Sequence, residues 1–158
     1  MRIGDDFDLT YCGNVHAPDS LERLLENLRT YAGPLRRRLD PEQQRGPAGV
    51  GLYFGATLTA ELKASAEARE RLARTLDDEG LFALTVNAFP YGDFHAERVK
   101  KEVYRPTWSE PSRLDYTLDT ARLLATLPHA DRELSISTLP AGYGPLEGEV
   151  RTRVVEQF

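Results

Sequence analysis

The sequence predicts an α/β protein in which β-strands and α-helices alternate. Short apolar stretches rich in β-favouring residues alternate with longer stretches in which leucine and alanine recur at helical spacing. Glycine or proline separates many of these stretches, as is typical of turns. Strands that are separated by helices pair in parallel through right-handed crossovers, so we expect one parallel sheet.

The expected order is strand, helix, strand, helix, strand, helix, strand, with a short extra helix before the last long one. We predict strands at residues 7–12, 50–54, 81–86 and 134–138. We predict helices from residue 21 to either 33 or 39, and at 57–78, 96–103 and 112–127. The apolar stripe of the first helix consists of Leu21, Leu24, Leu25, Leu28 and Tyr31.

Several residues are suited to the ends of these helices. Asp19 or Ser20 can cap the first helix, and Ser109 or Ser112 can cap the last. Gly80 follows the second helix, where a glycine can adopt the left-handed conformation that ends a helix.

The spacing of the strands indicates part of a parallel barrel. A strand and its helix take roughly 30 residues in a (β/α)₈ TIM-type barrel, and four such units make half of one. We therefore predict a partial (β/α) barrel of about four units over residues 1–145. Residues 146–158 form an atypical C-terminal tail with no predicted element.

Composition restricts the possible partners and compartment. The net charge of -5 argues against nucleic acid as a partner, and the basic cluster 36–38 falls near a helix end, where it complements the helix dipole. One cysteine excludes an intrachain disulfide and fits a reducing compartment. No signal peptide is recognisable, and no apolar run reaches the ~20 residues of a membrane span. We expect a cytoplasmic protein.

The candidate site residues follow the strands. In parallel α/β folds the site lies beyond the carboxyl ends of the strands. The polar residues at these positions are Asn14, His16, Asn87, Tyr91, His95, Ser137 and Thr138.

Each candidate has a functional and a structural interpretation. His16 and His95 fall on one predicted face, as catalytic residues or as ligands of a divalent metal such as Zn²⁺ or Mn²⁺, or as exposed or hydrogen-bonded loop histidines. Asn87, as a catalytic residue, and Asn14, as a substrate-binding residue, could orient a polyol or a carbonyl, or could form turns. Tyr91, Ser137 and Thr138 are the other predicted substrate-binding residues, and Tyr91 could wall a pocket or simply pack.

Other residues are assigned mainly to packing. We expect Cys12 to be a small buried side chain rather than a nucleophile. Tyr104 and Trp108 either pack in the protein or wall a pocket. His129 follows a helix and falls on the opposite face.

The known nucleotide and hydrolase motifs are missing from the sequence. It contains no phosphate-binding loop, dinucleotide glycine motif, nucleophile elbow or zinc-protease motif.

Four stretches carry a resemblance to a known family. They are LTYCGNVH at 9–16, TVNAFPYGDFH at 85–95, VKKEVYRPTW at 99–108 and SISTLP at 135–140. They resemble the N-terminal half of the EboE family of metabolite traffic proteins, which is encoded in bacterial ebo clusters and belongs with the xylose-isomerase-like TIM barrels. The resemblance covers most of residues 7–145, is most specific over 85–108, and ends after Gly144.

The resemblance implies a barrel related to sugar isomerases and epimerases, in which ligands from several strands bind a divalent metal. It implies a small polyol or sugar-like metabolite as partner. The later strands of the family's barrel are missing, so two alternatives stay open: a metabolite-binding protein without catalysis, and an inactive truncated reading frame. Open sheet edges also favour self-association.

Overall fold

The structure is a computed structural model that describes residues 2–3, 7–42, 44–89, 91–92, 102–129 and 133–157. A small antiparallel hairpin comes first, formed by β1 (Arg2–Ile3) and β2 (Phe7–Asp8). The main sheet consists of β3 (Thr10–Cys12), β4 (Ala48–Tyr53), β5 (Leu81–Asn87) and β6 (Ser135–Ser137).

Each strand of the main sheet pairs in parallel with the next strand along the chain, in the order β3-β4-β5-β6. The helices are α1 (Leu21–Asn27), α2 (Gly33–Leu39), α3 (Ala56–Ala64), α4 (Ala66–Asp78), α5 (Pro111–Ala125) and α6 (Gly148–Gln157). This alternation confirms the predicted fold class, an α/β fold arranged as part of a β/α barrel.

The bounds of the strands differ from those predicted. The first predicted strand is two strands, because Phe7 pairs back with Ile3 in the hairpin while Thr10 pairs with Gly49 of β4. The strand predicted at 50–54 begins at Ala48, whose N–H donates to the carbonyl of Gly80 at 2.9 Å.

The first predicted helix continues to Leu39, as one of the two predictions had it. A π-helical turn, Leu28–Ala32, joins α1 to α2. In this turn Ala32 is buried, whereas Tyr31 is 41% exposed. Tyr31 therefore does not belong to the buried stripe that the sequence predicted, although Leu21, Leu24, Leu25 and Leu28 do.

The helix predicted at 57–78 is two helices, α3 and α4. Ser65 separates them, because its backbone is extended and its hydroxyl accepts a hydrogen bond from the N–H of Ala68 at 3.0 Å. Gly80 ends α4 with a φ of +64°, as predicted.

Ser20, one of the two predicted cap residues, caps α1. Neither serine predicted for the last long helix caps that helix. The cap residue of α5 is Glu110, which makes no side-chain cap bond. Ser109 instead hydrogen-bonds the hydroxyl of Thr107 at 2.8 Å, and Pro111 occupies the first turn, where its missing N–H costs nothing.

The C-terminal tail contains a helix that the sequence did not predict. Val154 of α6 packs with Trp108 and Leu139 in a small second core. The helix predicted at 96–103 lies mostly outside the described residues, and its described end is a 3-10 turn, Glu102–Tyr104.

One face of the sheet packs against helices. Val50 and Leu52 of β4 join Val86 of β5 in the main core. The apolar side chains of α1, α3, α4 and α5 complete this core. The opposite face carries the glycines of β4, Gly49 and Gly51, and the residues in register with them. No helix within the described ranges is long and apolar enough to cross a membrane.

Candidate functional site

A cleft of about 480 Å³ opens beside the carboxyl ends of β3, β4 and β5. The turn after β3, the start of α3 and the first residues after β5 form its walls. Its principal side chains are His16, Asn27, Tyr31, Tyr53, Thr57 and Tyr91. This is the edge of the sheet at which the sequence predicted the candidate residues.

A tight 3-10 turn, Gly13–His16, brings His16 to the cleft directly after β3. Glycine is required at position 13, because a Cβ there would lie 2.7 Å from the carbonyl oxygen of Gly51. The turn therefore lies against β4. The side-chain amide of Asn27 donates to the carbonyl of His16 at 2.6 Å and fixes the end of the turn.

The His16 ring lies in an aromatic stack. Its centroid is 3.7 Å from that of Tyr31, with 10° between the ring planes, and 6.4 Å from that of Tyr11. Burial, together with the neighbouring Tyr31 and Cys12, raises the pKa of the Tyr11 phenol. Neither ring nitrogen of His16 is hydrogen-bonded within the described residues, so both are available to a ligand.

The opposite wall is held by a buried arginine. Tyr91 contacts the ring of Tyr116 edge-on, with centroids 5.2 Å apart, and the guanidinium of Arg113 lies over both rings. Arg113 is fully buried and donates to the carbonyls of Pro106, Ala88 and Phe89. Burial lowers the pKa of Arg113, which has no ion-pair partner among the described residues.

A row of polar side chains crosses the end of the sheet beside the cleft. Tyr53, Asn87 and Ser137 are register partners on β4, β5 and β6, so their side chains share one face. Two residues earlier on β5 and β6, the hydroxyls of Thr85 and Ser135 are 2.9 Å apart. The Asn87 Oδ1 atom is buried and unpaired within the described residues.

The predicted residues fall in different places. His16 and Tyr91 line the cleft, and Asn87 and Ser137 lie side by side next to Tyr53. Asn14 is exposed on its turn and does not line the cleft, and the hydroxyl of Thr138 is buried with no partner in the described part of the chain.

His95 lies outside the described residues. That His16 and His95 share one cleft therefore stays a prediction. Among the residues that the structure describes, no group of three or more His, Cys, Asp or Glu side chains converges to hold a metal ion. The described residues thus supply one imidazole at the cleft and do not by themselves form a Zn²⁺ or Mn²⁺ site.

The expectation that Cys12 is buried is wrong. Its side chain is exposed, because it is in register with Gly51 on the face of the sheet that does not join the main core. Trp108 packs, as one interpretation predicted: it is buried, and its Nε1 donates to the carbonyl of Leu139 at 3.1 Å.

Sequence reasoning missed several residues of the cleft. Tyr53 is the last residue of β4, and its place at the carboxyl end of a parallel strand is the signal that points to it. Tyr31 and Asn27 lie on the first helix. The π-helical turn changes the direction in which Tyr31 projects, so that its side chain is exposed and not part of the buried stripe. Arg113 resembles any charged residue of an amphipathic helix, so the sequence gives no reason to expect its burial.

The fold and the cleft define an α/β protein of the partial-barrel class, with a cleft of small-molecule size at the carboxyl edge of its parallel sheet. Comparisons of the chain with models of protein families, with curated proteins and with solved structures found no match.

Proposed function

We propose that this chain is a sugar isomerase- or epimerase-like barrel protein that binds a small polyol or sugar-like metabolite in the cleft. The observation that carries the proposal is the combination of tyrosine walls with polar groups at one edge of the sheet. The volume of the cleft, about 480 Å³, falls in the range of roughly 300–1,000 Å³ that is usual for small-molecule sites.

The chemistry of the walls favours a hydroxyl-rich ligand. Tyrosine rings pack against the C–H faces of a sugar while their hydroxyls stay polar. Asn27 and Thr57 add amide and hydroxyl groups at the cleft, and such groups can both donate and accept. Asp19 and Arg23 also line the cleft. Arg23 is paired with Glu26, and the carboxylate of Asp19 can accept hydrogen bonds from the hydroxyls of such a ligand.

The reaction in this proposal is proton transfer at a carbon next to a carbonyl. His16 would act as the general acid or base, since an imidazole ring can both donate and accept a proton and the ring nitrogens of His16 have no partner among the described residues. Asn87 lies beside Tyr53 and not in the lining of the cleft, so it would orient a substrate oxygen only if the substrate reaches past Tyr53. A divalent metal held jointly with His95 remains part of the proposal, and no step here depends on it.

The alternative is a metabolite-binding protein that performs no chemistry. It is favoured by the single imidazole that the described residues place at the cleft. Both candidates use the same site, and they differ only in whether a bound sugar exchanges a carbon-bound proton.

Thermal melting with a panel of aldopentoses, hexoses and polyols tests binding. A ligand that binds only the folded chain raises Tm, and a concentration of about 100 Kd adds roughly 2.7 kcal/mol of stability. We expect at least one member to raise Tm in the wild type and in the Tyr143→Ala control, but not in Tyr31→Ala. Tyr143 is a matched control because it is exposed and does not line the cleft.

Exchange of the ligand's carbon-bound hydrogen in D₂O, followed by proton NMR, separates the two candidates. Exchange that is lost in His16→Ala supports the isomerase proposal, and binding without exchange supports the alternative. If no panel member raises Tm, or if Tyr31→Ala and Tyr143→Ala respond alike, the cleft is not the binding site.

A further inference from the structure

Among the residues that the structure describes, no further strand pairs with the two edge strands of the main sheet. Within the described residues β3 pairs only with β4, and β6 pairs only with β5. Neither edge strand contains a charged residue or a proline, which are the usual devices that keep sheet edges apart. Both edges are therefore able to accept another parallel strand.

The face of the sheet away from the helices has the packing of a barrel interior. An added Cβ on Gly49 would lie 2.9 Å from the Thr10 methyl, and one on Gly51 would lie 3.1 Å from the Thr85 methyl. Side chains of the neighbouring strands thus fill the space over the glycines, as layers of side chains fill closed barrels. Cys12 and Ser135 remain exposed on this face.

An apolar groove of about 220 Å³ runs beside β3. Leu9, Leu35 and Leu39 line it and are 40–46% exposed. Ala48 and Leu81, at the amino ends of β4 and β5, line it together with Cys12 and Val15 at the carboxyl end of β3, so the groove follows the whole length of β3. Water contact with these leucines is unfavourable, so a partner that covers them would be stabilised by the hydrophobic effect.

We propose that a second copy of this chain covers these surfaces and that the two copies close one eight-stranded parallel barrel. In this dimer β6 of each copy pairs with β3 of the other, about a two-fold axis along the barrel. Two sheets of four parallel strands supply the eight strands of a closed (β/α)₈ barrel. The two-fold axis makes both junctions identical and leaves no open edge.

The charges beside the two edges are complementary. Arg36 lines the groove next to β3, and Arg38 on the same helix is exposed and has no ion pair in the described residues. Glu133 is exposed two residues before β6, at the same end of the sheet. Pairing of β6 with β3 brings the glutamate of one copy toward the arginines of the other, which favours this partner.

Closure has a consequence for the ligand site. It encloses the face that carries Asn87 and Ser137, so that the polar row beside the cleft becomes part of a barrel interior. Each barrel then presents two clefts on the same rim. The dimer does not depend on the ligand proposed above, so either proposal can fail alone.

Sedimentation tests the assembly directly. We expect the wild-type chain to sediment at twice its mass of 17.8 kDa and at no larger multiple. A stable monomer at high protein concentration would overturn the proposal. Open-ended larger oligomers would overturn it as well, because they would mean that the edges pair without closing.

Disulfide cross-linking tests the strand pairing. A (β/α)₈ barrel has a shear of about eight residues, so each of the two identical junctions displaces the paired strands by about four. Because Cys12 is in register with Ser135 within one chain, Ser137 of one copy comes opposite Thr10 of the other. Cys12 is the single cysteine, and within one chain β3 and β6 are three strand spacings of about 4.8 Å apart, which is too far for an intrachain disulfide. We expect mild oxidation of the Thr10→Cys/Ser137→Cys variant, made in a Cys12→Ala background, to give a covalent dimer on a non-reducing gel. The wild type should give none, because its two cysteines lie on opposite sides of the barrel.

Two controls complete the cross-linking experiment. Thr10→Cys or Ser137→Cys alone, in the same Cys12→Ala background, should give no covalent dimer, because the two equivalent cysteines then lie on opposite sides of the barrel. Ser112→Cys, on the exposed start of α5, should give much less of it than the double variant when it replaces Ser137→Cys. Failure of the double variant to cross-link, or equal cross-linking with Ser112→Cys in place of Ser137→Cys, would contradict the proposed junction.

Discussion

Two buried phenols connect the aromatic walls of the cleft with the stability of the chain. Burial raises the pKa of Tyr116 strongly, and the hydroxyl of Tyr116 donates to the carbonyl of Phe54. Tyr11, beneath the His16 ring, also has a raised pKa, mainly through burial. Both groups are therefore held in the protonated form by the fold.

This protonation predicts a loss of stability in alkali. Above the usual tyrosine pKa of about 10 the unfolded chain loses these protons first. The folded chain then binds more protons than the unfolded chain, so the free energy of unfolding falls as the pH rises. We expect Tm to decrease above this pH, and to decrease less steeply in Tyr116→Phe. Tyr143→Phe, at an exposed position, should keep the wild-type dependence of Tm on pH. Equal dependence in the wild type and both variants would show that the Tyr116 phenol does not cause the loss of stability.

At the scale of residues, the sequence predicted positions better than environments. Asn87 and Ser137 were expected together because parallel strands end at one edge, and their register places them side by side. The exposure of Cys12 depends on which face its strand turns to the helices. A three-residue strand gives too little alternation to decide this.

At the scale of elements, the loop after β5 and helix α5 depend on each other through Arg113. The guanidinium of this helical residue donates to carbonyls at Ala88 and Phe89, directly after the strand, and at Pro106. Its rigid fork of donors serves all three carbonyls, which an ammonium group cannot do with the same geometry. Arg113 therefore positions Tyr91, whose ring it covers at the wall of the cleft.

We expect Arg113→Lys to lower the free energy of unfolding by about 2–4 kcal/mol, because a buried carbonyl that loses its donor costs roughly 1–3 kcal/mol. Urea unfolding measures this difference. Arg122→Lys is the matched control on the same helix, where the side chain is 73% exposed, and it should change stability by less than about 0.5 kcal/mol. Equal stability of the two variants would show that the fork is not needed.

The long apolar patterns predicted the elements, and local hydrogen bonding decided their details. The stripe of leucines was enough to predict α1, but the π-helical turn that exposes Tyr31 has no counterpart in the pattern. The division between α3 and α4 depends on one serine hydroxyl. Helix α6 was missed because few of its side chains are buried in the described structure, Val154 being one.

At the scale of the whole molecule, alternation of strands and helices was sufficient to predict the fold class. Parallel pairing follows from the crossover helices, and the sheet order follows the chain order. The cleft could not be predicted in the same way. Its walls come from the segments that follow β3, β4 and β5, which are far apart in the sequence. The segment after β3 lies against β4 because Gly13 closely approaches Gly51.

The cleft at the carboxyl edge of the sheet is the proposed ligand site. Titration of ¹⁵N-labelled chain with D-xylose, xylitol and the other members of the sugar panel, followed by amide chemical shifts, tests it most directly. We expect saturable shifts at residues 15–19, 55–58 and 91–92, around the cleft. Shifts confined to the groove beside β3, or no saturable shift with any member of the panel, would contradict it.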